Sequence, residues 1–282
     1  MKMRIIETIS EMRKVQKEWR ENGESIGLVP TMGYLHEGHL SLIAEAKKRC
    51  SKVVMSLFVN PLQFGPTEDF ERYPRDMERD SQLANESGVD IIFAPSVAEM
   101  YPHKMKTTVV VSEITDTLCG ASRPGHFDGV ATVVSKLFHI VQPDFAFFGQ
   151  KDAQQVAVIK QMVDDLNMPL EIIPCPIVRE PDGLAKSSRN VYLSEEARKQ
   201  AVVLSRSLKQ AEADYQQGLQ PGEIKERAMS LIKTQPLADI DYVELLTYPS
   251  LKPLEKFNGQ PFILALAVRF GDTRLIDNKI FS

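Results

Sequence analysis

Two patterns make this an α/β chain, with a parallel-sheet domain followed by a smaller α+β domain. As far as Val178, short apolar runs alternate with helical segments, the rhythm of βαβ units. One of those runs, Lys52–Val59 (KVVMSLFV), is predominantly apolar instead of alternating, as a strand covered on both faces would be. Beyond Val178 the rhythm changes to charged helices followed by two long strand-like runs. At 282 residues the chain is long enough to bury two cores.

The elements follow in order. Ser25–Pro30 (SIGLVP) reads as a buried strand. Gly38 to Cys50 carries helical spacing, with Leu40, Ile43, Ala44 and Ala46 as its apolar face. Lys52–Val59 is the next strand, Pro74 to Ser87 a charged helix, and Val89–Ala94 (VDIIFA) a third strand. Gly129 to Val141 is a helix, Asp144–Phe148 a strand, Asp152 to Leu166 a helix and Glu171–Val178 a strand. A polar loop, Arg179 to Asn190, leads into a helix over Ser194 to Gln217. A further helix runs from Pro221 to about Lys233, and Asp241–Thr247 and Phe262–Phe270 are strands. The expected division is a Rossmann-like domain over 1–177 and a smaller α+β domain over 178–282. Parallel sheets of this kind bind ligands at the carboxyl ends of their strands.

Composition narrows the function classes. Hydrophobic residues make up 43% and charged residues 26%, ordinary values for a globular protein. The net charge of −4 provides no global basic field for nucleic acid, so a small anion needs a local cluster of Lys, Arg and His. Cys50, Cys119 and Cys175 are odd in number and form no C-x-x-C pair, which points to reduced, buried thiols. No apolar run approaches the ~20 residues of a membrane span, and Met1 to Ile9 lacks a signal-peptide core. The expected setting is the cytoplasm.

The first candidate site is Val29–Leu40 (VPTMGYLHEGHL), where the first strand hands over to a helix. If Gly38 lies in the first turn, His36 and His39 both project from the helix N-terminus, where unpaired N–H groups and the helix dipole favour an anion. Two hydrogen-bond donors in that field suit a polyphosphate whose charge grows during transfer. A zinc reading of His36-Glu37 fails on spacing, because H-E-x-x-H needs i and i+4. A purely structural helix cap is the other reading.

The second candidate is Lys186-Ser187-Ser188-Arg189, in the polar loop. Cations and hydroxyls in that combination can clamp phosphates; taken alone, the stretch reads first as a solvated charged loop. The third is Gly149 to Gln155, at the carboxyl end of Asp144–Phe148. There Lys151 suits a phosphate, and Asp152 a ribose hydroxyl or the lysine itself. Gln63 and Gln155 are neutral groups that can both donate and accept. His139, on a mostly apolar helix, is expected to be a satisfied core histidine. His103 reads as solvated, and His126 has no chemical role legible in the sequence.

Pro30-Thr31-Met32-Gly33 followed by His36-Glu37-Gly38-His39 resembles the nucleotidyltransferase superfamily that includes class I aminoacyl-tRNA synthetases. More narrowly it resembles the pantoate–β-alanine ligases. Further stretches resemble that family in its own order: Phe58–Phe64 (FVNPLQF), Tyr73–Asp76 (YPRD), Arg123–Val130 (RPGHFDGV), Phe148–Gln155 (FGQKDAQQ) and Ser187–Asn190 (SSRN). The resemblance covers most of the chain.

It implies ATP-dependent joining of pantoate to β-alanine through pantoyl adenylate, with Mg²⁺ accompanying the ATP and no metal ligand assigned. It places ATP at Met32, Gly33, His36, Gly38 and His39, at Gly149, Gln150, Lys151 and Asp152, and at Val178, Lys186, Ser187, Ser188 and Arg189. Catalytic roles fall to His36, His39, Lys151 and Arg189, with His39 as the proposed proton donor. Gln63 and Gln155 would hold the pantoate and β-alanine side, with Met32, Val133 and Val134 as apolar-wall candidates, although the two valines read equally as core. The family is commonly homodimeric; no nucleic acid or membrane partner is implied. Adenylyl transfer to a phosphate lacks the Gln63 and Gln155 signatures in its usual carriers. A regulatory nucleotide-binding module need not keep both phosphate loops. A tRNA synthetase fragment would need a basic tRNA-binding region.

Overall fold

The computed structural model describes residues 3–66, 68 and 70–282. The chain divides into two compact units. The first takes everything described up to Ser112, with Arg123–Gln150 and Val158–Pro176; the second is Glu113–Ser122, Lys151–Ala157 and Ile177–Ser282.

The first unit is built on six parallel strands: β1 (Arg4–Ile6), β2 (Ile26–Thr31), β3 (Lys52–Leu57), β4 (Ile91–Phe93), β5 (Phe145–Gly149) and β6 (Glu171–Cys175). They lie in the order β1-β4-β3-β2-β5-β6. The helices of this part of the chain are α1 (Ile9–Glu21), α2 (Glu37–Arg49), α3 (Met77–Glu86), α4 (Val97–Met100), α5 (Leu118–Ser122), α6 (His126–Val141) and α7 (Ala153–Asp165). Of these, α5 belongs to the second unit and α7 begins there.

Every residue of β3 after Lys52 is buried, Ser56 included, as a mostly apolar strand covered on both faces requires. Acidic side chains at the amino edge of the sheet satisfy the first strand amides: Ile26 N–H donates to Asp144 Oδ2 at 2.7 Å and Val53 N–H to Asp90 Oδ2 at 2.8 Å. β2 pairs with β3 on one side (Ile26↔Lys52 to Thr31↔Leu57) and with β5 on the other (Gly27↔Phe145, Leu28↔Ala146). Strand order therefore reverses between β2 and β5, and a parallel sheet opens its ligand crevice beyond the carboxyl ends of such a pair.

The second unit carries an antiparallel sheet of β7 (Ala238–Thr247), β8 (Phe262–Phe270) and β9 (Thr273–Phe281), with β8 central. Its helices α8 (Glu195–Ala201), α9 (Val203–Gln216) and α10 (Pro221–Ile232) share a core with β8, where Leu264, Leu266 and Val268 are fully buried. Burial of one such side chain contributes about 1.5–3 kcal/mol.

Several expectations need correcting. The helix expected over Ser194 to Gln217 is two helices broken at Val202. The core face of α2 is Leu42, Ile43 and Ala46, and Ala44 faces solvent. His139 is exposed, its ring Nδ1 2.7 Å from the carbonyl of Ser135 one turn earlier. β1, α1, α4, α5 and β9 are additional to the elements expected.

Candidate active site

In the first unit, β2 ends at Thr31, and a turn then delivers the chain to α2. His36 is the N-cap of that helix, with Gly38 and His39 in its first turn. Gly38 N–H donates to His36 Nδ1 at 3.1 Å, and His36 N–H donates to His39 Nδ1 at 3.3 Å. A main-chain N–H only donates, so both Nδ1 atoms are unprotonated and each neutral ring carries its proton on Nε2. A Cβ on residue 38 would lie 2.8 Å from His36 Cε1, so the His36 ring folds back over the helix only because that residue is glycine. The structural cap and the anion-facing donor are thus compatible roles for the same two rings.

The turn before α2 is held by a residue with no sequence signal. Buried Asp80, on α3, accepts Tyr34 N–H at 2.6 Å and Leu35 N–H at 2.7 Å. Burial pushes its carboxyl upward; the two amides and Arg79 oppose this without reversing it. Arg79 also lies 5.2 Å over the Tyr34 ring.

Gln63 ends a 3-10 turn, Pro61–Gln63, that abuts the first turn of α6. A Cβ at Gly129 would meet the carbonyl oxygen of Leu62 at 2.2 Å, so only glycine permits this approach. Buried Asn60 fixes the Gln63 amide by donating to Gln63 Oε1 at 3.2 Å and to the carbonyl of Gly129 at 3.0 Å. Its own oxygen accepts Tyr101 O–H at 2.7 Å and Leu62 N–H at 3.3 Å, and burial keeps the Tyr101 phenol protonated as that donor. Gln63 Nε2 donates to Met32 Sδ at 3.0 Å, bringing two of the expected site residues together.

Main-chain atoms of Gln63 are clamped as well. Its carbonyl accepts Arg123 Nη2–H at 3.2 Å and lies 2.8 Å from His126 Nδ1, while Arg123 Nη1–H donates to His126 Nε2 at 2.9 Å, which leaves the His126 proton on Nδ1. Glu68 holds Arg123 from the other side with two contacts of 2.6 Å. Burial would raise the Glu68 carboxyl, but the Arg123 hydrogen bond and charge outweigh it and lower it to about 2. Val133 and Val134 are buried on α6 among core residues. β5 ends at half-buried Gly149, with Gln150 next.

In the second unit, Lys151 and Asp152 lie in a 3-10 turn just before α7, their charged ends 3.5 Å apart. Of the two glutamines that follow, Gln155 is half-buried. Gln154 is a buried strut: it donates to the carbonyls of Ile114 and Thr117 and accepts Cys119 N–H at 2.9 Å. Val178 and Lys186 close a short hairpin, Lys186 N–H donating to the carbonyl of Val178 at 2.9 Å. The Lys186 ammonium is engaged by Glu180 at 3.1 Å. Ser187 caps the 3-10 turn Ser188–Tyr192, accepting Arg189 N–H at 3.3 Å; Ser188 is buried and Arg189 half-buried. No group of three or more His, Cys, Asp or Glu among the described residues is arranged to hold a metal ion. No described helix is long and apolar enough to cross a membrane.

A parallel α/β sheet whose switch-point strand β2 hands over to a helix N-terminus carrying His36 and His39 is the frame of nucleotide-binding enzyme folds. The Pantoate-beta-alanine ligase family model matches residues 4–280, and the chain belongs to that family; it is a ligase that forms a C–N bond. The chain is 60% identical over 279 residues to the pantothenate synthetase of Pelotomaculum thermopropionicum, 99% of each chain, and 61% identical over the same length to that of Desulfitobacterium hafniense. Its fold is similar to the crystal structure of pantothenate synthetase from Thermus thermophilus, with a TM-score of 0.92, 48% identity, and 98% and 99% of the two chains covered. It is also similar to the pantoate-beta-alanine ligase of Francisella tularensis solved with beta-gamma ATP and beta-alanine, with a TM-score of 0.80, 34% identity, and 99% and 97% covered.

Asn60 and Arg123 lie inside stretches already legible as family signatures, although their roles were not. Asp80 carried no signal, because a buried acceptor for two turn amides has no local pattern.

Proposed function

We propose that this chain joins pantoate to β-alanine in two steps. A pantoate carboxylate oxygen attacks the α-phosphorus of Mg-ATP, forming pantoyl adenylate as the bond to pyrophosphate breaks. The β-alanine amine then attacks the acyl carbon, its proton is lost, and AMP leaves with the electron pair of the broken C–O bond. A carboxylate alone is a poor acyl donor; the adenylate supplies the leaving group. The observation that carries the reading is the pair of Nε2–H imidazoles at the N-terminus of α2, set by their Nδ1 caps. Donors held in place before the reaction stabilise charge that grows on phosphate oxygens.

In this reading His36, Gly38 and His39, with Met32 and Gly33, bind the ATP phosphates, and Gly149, Gln150, Lys151, Asp152 and Val178 also serve ATP. Lys186, Ser187, Ser188 and Arg189 act on the same ligand, and Lys151 and Arg189 stabilise departing pyrophosphate. Gln63 and Gln155 hold pantoate, whose hydroxyls and carboxylate match amides that both donate and accept. Mg²⁺ enters with the triphosphate. The first step proceeds without β-alanine, so single-turnover mixing of enzyme, ATP and pantoate should release one equivalent of pyrophosphate. An absolute requirement for β-alanine in that experiment would refute the order. The reading also keeps a cytoplasmic homodimer, which sedimentation of the purified chain and cell fractionation test.

A further inference from the structure

We propose that Asp277 and Asn278 are positioning residues for ATP, tying the main chain at Lys151 to the hairpin that leads into Ser187–Arg189. Asn278 Nδ2 donates to the carbonyl of Lys151 at 2.9 Å. Asp277 receives Arg179 in a two-pronged ion pair, with Nη1 at 2.6 Å and Nη2 at 2.9 Å. The same Nη1 donates to the carbonyl of Gly183 at 3.1 Å, so Arg179 spans its own hairpin. That hairpin is closed by the Arg179↔Ala185 bridge and the Lys186 N–H bond to Val178, one residue short of Ser187. The following turn, Ser188–Tyr192, packs against β9.

The strand geometry explains why two neighbours do this. Consecutive side chains leave a strand from opposite faces, so adjacent residues on β9 reach two different segments at once. Asp277 and Asn278 are both buried, and Asn278 N–H donates to Asp277 Oδ1 at 2.8 Å. A buried carboxylate needs its charge matched, and the rigid fork of arginine does so in one geometry only. Motion of the Lys151 turn relative to the hairpin would break one of these bonds. The inference rests on the proposed role of Lys151 in phosphate binding.

The test is steady-state kinetics of the full chain with Asn278→Ala, the isosteric Asn278→Asp, Lys151→Ala, and the double variant Lys151→Ala/Asn278→Ala. The Asn278 variants should raise KM for ATP about tenfold, as for one lost buried hydrogen bond, leaving KM for pantoate and β-alanine within about twofold. The double variant should match Lys151→Ala within about twofold, because residues acting through one contact are not additive. Arg227→Ala, which removes the ion pair to buried Asp214 in the same unit, controls for stability alone and should leave KM for ATP unchanged. If Lys151→Ala raises KM for ATP and folded Asn278 variants do not, the brace is refuted and the phosphate reading stands. If Lys151→Ala leaves KM for ATP unchanged, the phosphate reading itself has failed. Equal rises in all three KM values, a matching effect of Arg227→Ala, or failure of both Asn278 variants to fold would show a merely structural pair and overturn the proposal.

Discussion

His36 and His39 stand with ring centroids 4.1 Å apart at an angle of 34°, and each accepts a main-chain N–H at Nδ1. Protonating either Nδ1 would break a helix-capping bond, so the fold selects the neutral Nε2–H tautomer of both. Nitrogen-15 NMR of the free enzyme at neutral pH should show that tautomer for the two rings; an Nδ1–H signal from either would contradict the cap. His39→Ala should slow adenylate formation by ~10²–10³, the usual loss for one preorganised donor. A variant within threefold of wild type would remove His39 from the chemistry.

Gln63 and Lys151 should divide by ligand. Gln63→Ala leaves polar groups of pantoate poorly paired, at a cost of roughly 1–3 kcal/mol, with ATP affinity nearly unchanged. Because Asn60 orients the Gln63 amide, Asn60→Ala should weaken the same ligand. Lys151→Ala should weaken ATP instead. Isothermal titration of each variant with each ligand separates the cases; a Gln63→Ala enzyme that lost ATP as severely as Lys151→Ala would end the assignment.

Asp80→Asn tests the turn before α2. An amide has one acceptor oxygen where the carboxylate has two, so either Tyr34 N–H or Leu35 N–H loses its partner. The expected cost is about 1–3 kcal/mol of stability by urea unfolding, with slower pyrophosphate release in a single turnover. Unchanged values of both would show that the turn does not depend on Asp80.

Glu68 makes a pH prediction. Its carboxyl, lowered to about 2 in the folded chain by Arg123 against the opposing effect of burial, titrates near 4.5 when unfolded. A depressed carboxylate stabilises the fold fully above the unfolded value and loses that contribution as pH falls towards the folded one. Wild type should therefore exceed Glu68→Gln by on the order of 2 kcal/mol at pH 7, solvent screening included. That gap should shrink steadily between about pH 4.5 and 2. A gap independent of pH in denaturant titrations would exclude the ion pair as its source.

Local pattern was enough for the parallel sheet and for much of the candidate site. Lys52–Leu57 is a strand in the structure because a mostly apolar run that continues through Phe58 and Val59 to polar Asn60 has little alternative once both faces are covered. The strand-to-helix turn at His36 and His39 was legible because a glycine and two histidines stood where an apolar run gave way to helical spacing. Short or diluted elements were not legible. β1 has three residues, and β9 carries Arg274, Asp277, Asn278 and Lys279, whose polarity hides a strand that buries polar groups by pairing them. Tertiary structure decided every partner distant in sequence: Asp80 for Tyr34 and Leu35, Arg123 for Glu68 and Gln63, Asn278 for Lys151. Periodicity reports which face of a segment is buried; a hydrogen bond between residues 46 or 127 positions apart depends on where the sheet and turns place those two atoms.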